Sequence, residues 1–136
     1  MSSVKIRAAL ETALNAMTPA LDTAWENVAF APPSSSVPYQ RAFVIFAEPD
    51  DPTFGAGMHR ELGIFQVNLL YPIQAGSAQA GARAELIRAA FARGSTFSNS
   101  GVTVVISKTP EIGQGTIDGD RWFVPVKIRF HSNIIS

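Results

Sequence analysis

Residues 121–131, Arg-Trp-Phe-Val-Pro-Val-Lys-Ile-Arg-Phe-His, govern how the rest of the chain is read. Trp122, Val124, Val126, Ile128 and Phe130 recur at every second position. Arg121, Lys127, Arg129 and His131 take the alternate positions, with Phe123 and Pro125. A period of two belongs to a strand with one face on a core and one towards water. Pro125 has no backbone N–H, which predicts an edge position or a bulge at that point.

Three more strands are expected around this one. Val102 to Lys108 places Val102, Val104 and Ile106 on one face, and the glycine-rich stretch Pro110 to Asp120 connects it to the last strand. Leu62 to Tyr71 alternates Phe65, Val67, Leu69 and Tyr71 with Gln66 and Asn68. Arg41 to Glu48 is an almost continuous apolar run, too short for most helices, and reads as a strand covered on both faces. Pro49 to Arg60 joins these two as a long loop, in which Phe54 and Met58 are large apolar groups among prolines and glycines. Thr96 to Gly101 reads as a polar loop, and Trp25 to Pro38 as an extended, proline-rich connection.

Two helices precede the two strand pairs. Ile6, Leu10, Leu14, Met17 and Leu21 form one apolar stripe, capped by Ser2 or Ser3 and ended by Pro19. The second runs within Gly76 to Arg93, with Ser77 as cap and Gly94 as stop. Ala80, Ala84, Ile87, Ala90 and Phe91 face inward, and Arg83, Glu85, Arg88 and Arg93 outward. The order is helix, strand, strand, helix, strand, strand. The expected fold is therefore α+β: a mixed or antiparallel four-stranded sheet with two helices packed on one face. At 136 residues, positions 1–136 make one domain with one core.

Composition narrows the function. Eleven basic and 11 acidic residues give zero net charge, whereas sequence-specific nucleic-acid binders usually carry a basic excess. There are no cysteines, so disulfides, thiol catalysis and cysteine-ligated zinc are excluded. No apolar run is long enough to cross a bilayer, and Lys5, Arg7 and Glu11 interrupt any secretory leader. His59 and His131 are isolated. The carboxylate pairs Asp50/Asp51 and Asp118/Asp120 sit where turn chemistry favours aspartate. Gly55-Ala56-Gly57 leads into a strand, where a dinucleotide site needs a helix N-terminus. No catalytic, cofactor-binding or metal-binding residues are expected. Two features suit contact surfaces: Phe54 and Met58 in the long loop, and the basic stripe Arg121, Lys127 and Arg129. The stripe also reads as an ordinary solvated sheet face.

Several stretches carry a resemblance. They are Trp25-Glu26-Asn27 followed by Phe30 and Pro32-Pro33, and Gly63-Ile64-Phe65-Gln66-Val67 running on to Tyr71-Pro72. Gly76 and Gly81 open a helix that ends at Phe91, and Arg121-Trp122-Phe123-Val124-Pro125-Val126 closes the set. Together they resemble the small tail terminator (tail completion) proteins of long-tailed bacteriophages and prophages. The resemblance implies a non-enzymatic α+β subunit, without cofactors, that caps the tail tube as a ring, commonly of six. It would end tube polymerisation and form the joint to the head. The implied partners are its own copies, the tail tube protein and the head–tail connector protein, with no membrane. It would act in the bacterial host cytoplasm during assembly and then in the virion tail. Phe54, Met58, Arg60, Arg121, Lys127 and Arg129 are the expected contact residues. A head–tail connector or completion protein is the alternative of the same size and class. An unrelated small enzyme or ligand-binding domain is the third.

Overall fold

The chain runs α1 (Ser2–Asn15), β1 (Asp22–Trp25), β2 (Tyr39–Phe46), β3 (Met58–Pro72), α2 (Ala78–Ala90), β4 (Thr96–Asn99), β5 (Val102–Ile106), β6 (Glu111–Ile112), β7 (Thr116–Asp118) and β8 (Arg121–Ile135). These elements come from a computed structural model, which describes residues 2–34, 36–51, 58–74 and 76–135.

The axis of the molecule is the long antiparallel ladder between β3 and β8, in register from Met58↔Ile135 to Pro72↔Arg121. On one face it stacks Phe65 beside Ile128, Val67 beside Val126 and Leu69 beside Val124. All six are buried, as are Ala42 and Val44 of β2, which continue the same face. Ile6, Leu10 and Leu14 of α1 and Ala84 and Ile87 of α2 close over it, with Phe91 just past α2, in one apolar cluster. Burying each Leu, Ile or Phe side chain is worth about 1.5–3 kcal/mol, so this single layer supplies most of the cohesion.

The expected four-stranded sheet is corrected to a curled, mixed sheet of eight strands, ordered β1-β2-β3-β8-β5-β4, with β6 and β7 also paired to β8. The four additional strands have two to four residues each. Such pieces carry too few positions to show a period. They become strands because a long neighbour offers unpaired backbone groups beside them. β1 pairs with β2 in parallel, just ahead of the expected Trp25 to Pro38 connection and sharing only Trp25 with it. β4 occupies the presumed polar loop. There Ser100 (φ +50°) and Gly101 (φ +86°) make the two-residue turn with two left-handed positions that fits a twisted hairpin. The glycine-rich stretch yields β6 and β7, and a tight turn at Gly119 (φ +60°) leads into β8.

β8 is thus neither an edge strand nor visibly bulged at Pro125, which pairs with Asn68. The Pro125 carbonyl accepts the Gly113 N–H at 2.8 Å, so its donor-less nitrogen faces the same side. There the chain leaves the ladder between β6 and β7, and no donor is missed.

Gly63 and Gly115 are required by packing. Gly63 lies between Phe46 and Phe130 in register, and a Cβ there would stand 2.3 Å from the Ile45 carbonyl oxygen. The gap lets the Phe46 and Phe130 rings meet edge to face at 6.0 Å across β3. Gly115 lies under the Trp122 ring, where a Cβ would approach it to 2.2 Å.

At the β2 edge, parallel pairing with β1 stops at Trp25. The Glu26 carboxylate then accepts the Val44 N–H at 2.6 Å and also pairs with Arg7.

Arg83 departs from its expected outward position. It shares a face of α2 with Ala80, Ala84 and Ile87 and is only 3% exposed. Its guanidinium donates to the Pro19 carbonyl and, at 3.5 Å, to the buried Gln40. Burial lowers its pKa, while Tyr71 acts in the opposite direction. Ser77 occupies the N-cap position without a side-chain capping bond.

Candidate partner interface

The second face of the sheet divides into two regions. Near the Arg121 end of β8, the proline-rich connection folds back over Tyr39 and Leu70, both buried. Phe30 packs on Tyr39 with ring centroids 5.3 Å apart. Arg121 fastens this cover. It is 5% exposed, lies 4.9 Å from the Tyr39 ring centroid, and donates to the carbonyls of Pro33 (2.8 Å), Ser34 (2.9 Å) and Val37. Pro32 and Pro33 bring no N–H groups of their own, so carbonyls in this segment depend on donors from elsewhere. A planar guanidinium with five N–H donors suits that task. Arg121 is thereby separated from the basic stripe to which its position assigned it.

The other region is open. Arg60, Leu62, Ile64, Arg129 and His131 line a groove of about 470 Å³, completed by Ala47, Ser107 and Lys108 and, beneath them, by Gly63 and Phe130, whose ring is buried in the core. The floor is apolar and the rim cationic. Arg60 donates through Nε to Asn133 Oδ1 at 2.9 Å, and Arg129 pairs with Glu111 at 3.0 Å. Lys108 is exposed and makes no ion pair among the described residues. His131 shares a 2.7 Å hydrogen bond with Ser107 Oγ. Burial, and then the nearby Arg60 charge, holds its pKa below the ordinary 6.5. The imidazole is therefore mostly neutral at pH 7, and the positive charge comes from Arg60, Lys108 and Arg129. Ile45 on β2, 49% exposed, extends this face with an apolar group.

The remaining candidates fall unevenly. Met58 and Arg60 belong to β3 rather than to a loop, where Arg60 also exchanges backbone hydrogen bonds with Asp50 at 2.6 and 2.9 Å. Phe54 lies outside the described residues. Lys127 is half-buried opposite Glu111 in the ladder, although the Glu111 carboxylate turns to Arg129. His131 stands beside Arg129 as the alternation of β8 predicts, whereas Lys108 and Arg60 join them from separate parts of the chain, and no local signal announced that meeting. Among the described residues there is no cluster of three or more metal-ligating side chains, and no helix is long and apolar enough to cross a membrane.

With this geometry in view, comparison with known proteins identifies the class. The family described as phage tail terminator protein matches residues 5–130. The chain belongs to that family, a structural and non-enzymatic family of the phage tail. One solved structure is 33% identical, covers 97% of this chain and 96% of its own, and superposes with a TM-score of 0.76. A chain from the virion of a native gene transfer agent particle is 16% identical over 99% of this chain and 98% of its own, with a TM-score of 0.65. At that identity it bears on the fold alone. No curated protein matches the sequence.

Proposed function

We propose that this chain is a tail terminator subunit whose copies form a ring, a hexamer on the tail, against the last ring of tube protein. The ring ends tube polymerisation and presents the joint to the head–tail connector. It assembles in the host cytoplasm and remains in the virion tail. The family match over residues 5–130 carries this reading. The open cationic groove supports it, because a subunit that must touch a neighbour and a tube needs uncovered side-chain surface.

Phe54, Met58, Arg60, Lys127 and Arg129 are the proposed contact residues, and Arg121 holds the adjoining cover in place. The test is electron microscopy of particles assembled without this chain. Overlong, uncapped tubes are expected. Tubes of normal length that lack heads would instead assign the chain to head joining. Phe54→Asp is expected to abolish capping while the circular dichroism spectrum is unchanged; tails of normal length from that variant would remove Phe54 from the contact set.

A further inference from the structure

The groove has a counterpart on the same molecule. At the opposite end of β8, the β7–β8 hairpin carries Ile117 on β7, 70% exposed and the most exposed large apolar residue described. Asp118 and Asp120 flank Gly119 beside it, are exposed, and make no ion pair among the described residues. Arg121, the nearest cation in sequence, has its guanidinium directed to the proline-rich connection. The tip is thus an apolar knob with two uncompensated negative charges. The groove is an apolar hollow rimmed by Arg60, Lys108 and Arg129, and among the described residues Glu111 is the one acid that pairs with them.

We propose that the Ile117–Asp120 tip of one copy seats in the Arg60–Lys108–Arg129 groove of the next. The inference rests on the reading that copies of this chain form a ring, and it names the contact. Charge complementarity selects the occupant: Ile117 faces the apolar floor of Leu62 and Ile64, while the aspartates meet the cationic rim. A duplex phosphate backbone fits less well, because it has no apolar group to offer that floor.

Position along the strand gives the contact its direction. Eight residues separate Arg121 from Arg129, roughly 25–30 Å of strand, so the knob cannot reach the groove of its own chain. The contact is therefore heterologous, one patch against a different patch. Such contacts repeat into closed rings when the rotation between copies closes. The tip anchors a larger interface, since specific interfaces bury about 1,200–2,000 Å² in total.

The absence of cysteine makes the test direct. Ile117→Cys and Lys108→Cys are prepared separately, mixed, assembled on tail tubes and oxidised. The mixture is expected to give a disulfide dimer that neither variant gives alone, and the double variant a ladder ending at the ring size. Rings that cap tubes without the mixed cross-link overturn the tip-to-groove contact and leave the ring reading standing. Failure of the unmodified chain to cap tubes overturns the ring reading itself. A charge exchange gives a second readout. Asp118→Lys with Asp120→Lys should abolish ring assembly, and mixing with Lys108→Asp, Arg129→Asp subunits should recover at least tenfold more capped tubes than either variant alone. Loss of capping from the groove variant, with the tip variant fully active, would assign the groove to another tail protein and overturn the self-contact.

Discussion

Arg121 and Arg129 stand on the same face of β8, eight residues apart, and the two ends of the strand use them differently. At the first end the guanidinium is buried against an aromatic ring and serves three backbone carbonyls. At the second it rims an open groove with one carboxylate beside it. Residue type and strand periodicity are the same at both. The difference comes from what the chain lays over each end: a proline-rich segment lacking donors, or nothing among the described residues. An arginine on a sheet face can thus act as a fastener or as a contact group, and the covering segment decides which.

The largest test of this contrast is Arg121→Ala. Removing the guanidinium takes away three part-buried hydrogen bonds and the contact with the Tyr39 ring and should cost about 3 kcal/mol, a drop of roughly 10 °C in melting temperature. Arg121→Lys should recover little, because an ammonium cannot reproduce the planar fork. A melting curve for Arg121→Ala within about 1 °C of the parent would end the distinction between the two ends.

Gly63→Ala comes next and checks that the Arg129 end is equally firm beneath its open surface. The new Cβ would press on the Ile45 carbonyl, and a loss of about 1–3 kcal/mol is expected in denaturant unfolding. A neutral result would mean that β2 and β3 can shift apart there. Arg129→Glu should then change stability by less than about 1 kcal/mol, as expected for a part-exposed pair, while capped tubes are lost. Equal losses of stability from Arg121→Ala and Arg129→Glu would erase the comparison.

The smallest effect is that of His131. Its folded pKa is depressed, so the unfolded chain binds the proton more readily. Stability should be complete above pH 6.5 and decline as the pH falls from there to the folded pKa. His131→Gln should remove that part of the slope in unfolding measured between pH 7 and pH 5; an unchanged slope would show that His131 is not its source.

Much of the core was legible because β3, β8 and both helices are long enough to show a period. Phe65, Val67, Val126 and Ile128 follow from alternation alone. β1, β4, β6 and β7 were not legible, because they exist only beside a longer strand that pairs with them. Arg83 misled for a related reason: helix spacing placed it beside Ala80 and Ala84, but its charge argued for water until the Pro19 carbonyl and Gln40 were in view. The contact surface was half legible. Arg60 and Arg129 were named from sequence, and alternation puts His131 beside Arg129, yet nothing local places Lys108 or Arg60 there, since the β3–β8–β5 pairing brings those residues together.

The carboxylate of Glu26 carries a final consequence. A sheet that ends in open backbone groups invites further strands, from its own kind or from strangers, without limit on number. Here a side chain sits on the next edge donor, the Val44 N–H, where β1 runs out. Strand addition along β2 is plugged at that point, so a partner there meets a charged side chain in place of a free backbone donor.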